Sequence, residues 1–223
     1  MKKVKVLCVR FANEIRNDEI EYFRGAVLSK LQQASVLFHN HEGNGFRYAY
    51  PLIQYKRLNG KAALVCLEEG ANDVGQLFTT DDFSFMLRDR KEDMKVDSMK
   101  ARQVLVQVWE DDFMYYLNRW LPLNEKNYKT FQGLDGLVEK YAFLEKKLVG
   151  NILAFAKGMG IFIEKEVKCK IVDCEEPYWI FYKGIKMMCF NVRFKTNVSL
   201  PDFVGLGKGV SLGHGIVSQI RKK

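Results

Sequence analysis

Two of the three histidines in this 223-residue chain, His39 and His41, flank Asn40 in the segment LFHNHEGNGFRYAY. An imidazole titrates at ~6.5, so such a pair can divide the roles of general base and general acid near neutral pH. On a phosphodiester with a neighbouring hydroxyl, that division suffices for metal-free transesterification if a cation steadies the charge on phosphorus. Arg47, just past the pair, and Lys56, in the strand-like YPLIQYK that follows, are the candidates for that cation. Blander readings stand beside these. The histidines can be two solvated loop residues or two metal ligands lacking a visible third, Arg47 a surface charge, and Lys56 a strand-edge gatekeeper.

His214 lies in a second unusual segment, VGLGKGVSLGHGIV, where glycine occupies positions 205, 207, 209, 213 and 215. Glycines at that density let a backbone approach a phosphate closely, because no side chain intervenes. Two nucleotide-binding motifs are excluded. Val210 stands where a dinucleotide fingerprint needs its third glycine, and too little chain follows for a β-α-β unit. Lys208 sits between two glycines, with no Ser or Thr directly after it to bind magnesium, so a phosphate loop of the nucleotide-hydrolase kind is absent too.

The formal net charge of +8 favours an anionic partner, nucleic acid or an acidic membrane surface. Its distribution is uneven. Residues 1–112 carry 17 basic and 17 acidic side chains, whereas residues 113–223 carry 18 and 10, so the excess resides with the glycine segment. Five cysteines without a C-x-x-C pair suggest small core residues in a reducing cytosol rather than a disulfide framework or zinc ribbon. The charged, alternating N-terminus does not read as a signal peptide, and charges interrupt the apolar stretch 137–156, so a cytoplasmic protein without a membrane span is expected.

The elements that must position these residues follow one order twice. Val4–Phe11 reads as a strand buried on both faces, followed by a helix capped by Asn17 or Asp18 with Ile20, Phe23, Val27 and Leu31 on one stripe. Asn59-Gly60 predicts a tight hairpin between two β-rich runs, ANDVGQLF a second helix, and FSFMLRD the fourth strand. The second half repeats the plan. FMYYLNRWLPL is strand-like, and a helix starting near Asp135 places Leu137, Tyr141, Leu144, Leu148 and Ile152 on one face. IFIEKEVKCKIV and WIFYKGIKMMCFNVRF follow as strands with a turn at Lys183-Gly184, and GIVSQI is the last strand. The expectation is an α+β fold of two tandem ferredoxin-like (β-α-β-β-α-β) units, residues 1–112 and 113–223, with the glycine-rich loop in place of the last helix. Trp109, Trp120 and Trp179 read as core at strand spacing, with base stacking as the alternative.

The pattern h-G-h-G-x-x-x-S-x-G-x-G-h-V before a final strand resembles the C-terminal motif of the CRISPR-associated repeat-processing endoribonucleases, in the repeat-associated mysterious protein superfamily. YPLIQYK and the histidine-bearing loop before it narrow the resemblance to the repeat-processing branch. The resemblance implies a metal-independent endoribonuclease that cuts CRISPR precursor RNA within repeats, without a cofactor. Attack by the 2′-hydroxyl would leave a 2′,3′-cyclic phosphate and a 5′-hydroxyl. His39 and His41 would be catalytic, and Tyr22 on the first helix joins them because some relatives pair a helix tyrosine with the histidine. Gly205, Gly207, Lys208, Gly209, Gly213 and Gly215 would bind RNA, with His214 as a spacer or stacking group. Repeat RNA is the implied partner, with other CRISPR-associated proteins and a homodimer as further candidates. The alternative is a non-catalytic RNA-binding subunit of an effector complex, which would need no histidine pair.

Overall fold

Asn59 and Gly60 both take positive φ, 51° and 85°, and fold β4 (Ile53–Leu58) onto β5 (Lys61–Leu67). This is the two-residue turn that an Asn-Gly pair accommodates without strain. The computed structural model describes residues 2–31, 41–42, 45–46, 50–79 and 82–221. Two units divide the chain. The first comprises Lys3–Val104 with Ser211–Gly213, and the second Met1–Lys2, Leu105–Val210 and His214–Lys223.

In the first unit β1 (Lys3–Glu14) lies between β5 and β8 (Val96–Leu105), giving the spatial order β4-β5-β1-β8. Helix α1 (Ile20–Ser29) buries Ile20, Phe23, Ala26 and Val27. Its Phe23 meets Phe11 of β1 at 5.7 Å and Tyr55 of β4 at 6.0 Å, ring to ring and edge-on. Neither Asn17 nor Asp18 caps this helix. A short 3-10 turn, Asn17–Glu19, leads in, and the Glu19 carboxylate accepts the Arg16 amide at 2.7 Å. The segment ANDVGQLF forms only a short α2 (Glu69–Asp73) continued by a 3-10 turn through Thr79.

The fourth strand differs from the sequence expectation. Ser84–Leu87 (β6) turns at Arg88, whose φ is 61°, and pairs with Arg90–Asp93 (β7) in a separate hairpin. Phe85 of that hairpin packs on Phe23 at 6.1 Å. The sheet is completed by β8, VDSMKARQVL, an edge strand exposed over most of its length. Charged, solvated edges carry no apolar alternation, so nothing in the pattern announces this strand.

The second unit is built around β9 (Val108–Trp120), which spans residues 112 and 113. Its sheet runs β10 (Cys169–Cys174), β12 (Ile185–Val198), β9, β13 (Ile216–Gln219), with β11 (Tyr178–Tyr182) also paired to β12. In each unit the four sheet strands stand in the order second, third, first, fourth. Helices α3 (Glu125–Gln132) and α4 (Leu137–Gly158) belong to this unit, and α4 buries Leu144, Leu148, Ile152, Phe155 and Ala156. Leu137, on the expected stripe, is exposed in the first turn, and Ile161–Lys168 precedes the strand instead of joining it. Among the described residues no helix is long and apolar enough to cross a membrane.

Candidate functional site

The catalytic candidates all fall in the part of the chain leading from α1 to β4. His39 and Arg47 lie outside the described residues. His41 opens the two-residue strand β2 (His41–Glu42), which pairs with β3 (Gly45–Phe46) and sets His41 opposite Phe46. Tyr22 stands on the solvent side of α1, lining a groove of about 710 Å³ with Gly25, Ser29, Met86 and Lys91.

Lys56 is fully buried in β4, and desolvation of its ammonium pulls its pKa down to about 7. An amine at that value is partly neutral near pH 7. It is not the surface gatekeeper that its place in a strand suggested. Its neighbour Tyr55 donates its backbone N–H to the Ser211 carbonyl at 2.9 Å and bridges Leu212 in parallel. The middle of the glycine segment thus extends the β4 edge of the first unit. Gly213 belongs there too. A Cβ on Gly213 would stand 2.6 Å from the Cδ1 of Ile20, two residues before Tyr22.

The remaining glycines serve the loop's own packing in the second unit. A Cβ on Gly205 would meet Val210 at 2.5 Å, and one on Gly207 would meet the Trp120 indole at 2.9 Å. Gly209 leaves room for the His214 imidazole, which is only 5% exposed and sits edge-to-face on Tyr182 at 5.3 Å. Several loop amides are already committed. Leu206 donates to Gly215, Lys208 to Leu121, His214 to Gly209 and Gly215 to Arg119, each to the backbone carbonyl. The Lys208 side chain is exposed, so this is the charge the loop presents to solvent.

Residues 2–104 match the Cas6b N-terminal domain, and residues 107–220 match the Cas6b C-terminal domain. The chain belongs to the Cas6b family. A solved Cas6b structure superposes with a TM-score of 0.87 at 23% identity, covering 98% of this chain and 100% of that one. A second, described as a CRISPR RNA processing endoribonuclease Cas6b, gives 0.77 at 22% identity with the same coverage. An uncharacterized protein of Methanocaldococcus jannaschii, MJ0978, is 36% identical over 107 residues, 48% of this chain and 71% of that protein.

Three features of this Cas6b-family chain escaped sequence reasoning. Only Trp120 of the three tryptophans is core, while Trp109 and Trp179 are exposed. Arg119 adopts a φ of 54° near the end of β9, where its amide donates to Asn191 Oδ1 and its carbonyl accepts from Gly215. Asn191 in turn donates to Glu175, which also accepts from the Tyr116 hydroxyl at 2.9 Å. The outward aromatics had a readable signal in the alternation Tyr-Trp-Ile-Phe-Tyr, which places two rings on each side of the strand. The Arg119 geometry had none, because arginine carries no preference for positive φ.

Proposed function

We propose that this protein is an endoribonuclease that cuts CRISPR precursor RNA within its repeats, without a metal and without a cofactor. The observation that carries the reading is the match of both halves of the chain to the two Cas6b domains, joined to the His39-x-His41 loop. One histidine removes the proton of the 2′-hydroxyl, and the 2′-oxygen attacks phosphorus. The bond from phosphorus to the 5′-oxygen breaks, and the other histidine protonates that oxygen. The products are a 2′,3′-cyclic phosphate and a 5′-hydroxyl. The cation beside the phosphate comes from Arg47 or Lys56, and Tyr22 of α1 is the remaining catalytic candidate.

Two tandem ferredoxin-like units divide the work, the first carrying the catalytic loop and the second most of the glycine-rich loop. The glycines hold the loop in shape, and Lys208 meets an RNA phosphate. The basic excess of residues 113–223 supports RNA as the ligand. Incubation of the wild-type chain, His39→Ala and His41→Ala with end-labelled repeat RNA in excess EDTA tests the reading. One cut per repeat ending in a cyclic phosphate is expected, lost in either variant while RNA binding persists. Tight binding without a cut in the wild type would instead make the protein an RNA-holding subunit.

A further inference from the structure

Strand β11 carries aromatic side chains on both faces, and only one of them packs into a buried cluster. Tyr178, Ile180 and Tyr182 pack against Leu121, Met187 and Cys189. Trp179 and Phe181 point the other way and are 45% and 76% exposed. The antiparallel register sets Trp179 opposite Met188 and Phe181 opposite Lys186 on β12. The Lys186 ammonium stands 5.1 Å from the centre of the Trp179 ring. Tyr128 of α3 meets the same ring edge-on at 5.6 Å, which steadies it. Residues 178–188 contain Lys183 and Lys186 and no acidic residue.

A large exposed aromatic face marks an interaction surface, and lysines at its rim select an anionic occupant. Two rings two positions apart on a strand stand about 6.8 Å apart, room for successive unstacked bases. Aromatic rings held on a sheet and flanked by cations are the means by which proteins bind unpaired nucleotides, bases on the rings and phosphates on the lysines.

We propose that the outward face of the β11–β12 hairpin, Trp179, Phe181 and Lys186 with Lys183 at the turn, is a stacking platform for unpaired bases of the RNA substrate. The assignment rests on the RNA-cleaving reading above and adds a place where single-stranded RNA is held. Lys186 is positioned to meet a phosphate between two stacked bases, and Lys183 the next one.

The test is fluorescein-labelled repeat RNA titrated with the full-length chain, read by anisotropy. Each of Trp179→Ala and Phe181→Ala is expected to raise Kd about tenfold, the loss of one base stack. Trp179→Phe, which keeps a ring, should stay within about twofold of the wild type. Lys183→Glu combined with Lys186→Glu should weaken binding and flatten its salt dependence. These side chains are exposed, so thermal unfolding should be unchanged, and the lysine pair gives a reading even if an aromatic variant folds poorly. Wild-type affinity in all variants would overturn the platform and leave the nuclease reading standing. Unchanged affinity with a shift from dimer to monomer would assign the face to a second copy of the chain. A wild-type protein that binds no repeat RNA would overturn the nuclease reading itself, and the platform with it.

Discussion

Gly215 faces the carbonyl oxygen of Leu206 so closely that a methyl group on its α-carbon would stand 1.8 Å from that oxygen. Its φ of 63° adds a second reason for glycine. Gly215→Ala is therefore expected to cost about 2–5 kcal/mol, the sum of an overpacked contact and a left-handed residue. Thermal unfolding should record a fall in Tm on the order of 10 °C. A stable Gly215→Ala protein would mean that the loop can be rebuilt around this contact.

Lys208 separates binding from folding in the same loop. Its side chain is exposed between two glycines, so Lys208→Ala should leave Tm unchanged. RNA affinity should drop to a similar degree for different sequences, and the slope of log K against log salt should shrink by about 0.7. An unchanged slope would remove Lys208 from the phosphate contacts.

Glu19 is buried at the entrance to α1, with Arg90 Nε at 3.1 Å and Arg16 Nη2 at 3.3 Å from its Oε1. Burial raises the carboxyl's pKa, but the hydrogen bonds from Arg90 and the Arg16 amide outweigh it and hold it below the ordinary glutamate value. A depressed folded pKa contributes stability above the unfolded value of about 4.3, and that stability is lost as pH falls through the folded value. Glu19→Gln should destabilise the protein by about 1–3 kcal/mol at pH 7. The gap to the wild type should close as pH drops below about 4, and equal Tm values at pH 7 would show the pair to be dispensable.

Lys56 works with the opposite sign. Its folded pKa of about 7 lies below the ordinary lysine value, so the unfolded chain holds the proton more tightly and protonation opposes folding. Between pH 7 and 8.5, before cysteine thiols enter, this residue makes stability rise with pH. Lys56→Met should be more stable than the wild type at pH 7, with the difference narrowing as pH rises. If Lys56 supplies the cation or a proton in cleavage, the same variant loses activity while gaining stability, a combination that a purely structural lysine does not produce.

How much of this was legible in the sequence varies with the kind of signal. The turns at Asn59-Gly60 and Lys183-Gly184 were, because positive φ at both positions restricts the residues that can occupy them, and the observed values are 51°, 85°, 51° and 75°. Helix α4 was legible from its apolar period, except that its first turn is exposed. The strand beginning at Ile161 was read too long, since Ile161–Lys168 has apolar alternation but finds no ladder partner among the described strands.

The sequence by itself determined the α+β class, the H-x-H spacing, the glycine segment and the basic second half. Each of these is a property of residue types at short spacing, where local dihedral preferences and periodicity act. Only the tertiary structure decided that β8 rather than β6 completes the first sheet, that Lys56 and His214 are buried, and that Trp179 is exposed while Trp120 is core. It also decided what fills the spaces beside the glycines: Val210, Trp120, His214, Ile20 and the Leu206 carbonyl. Burial and strand pairing depend on residues distant in the chain, so two tryptophans in similar strand contexts meet opposite fates according to which neighbours fold against them.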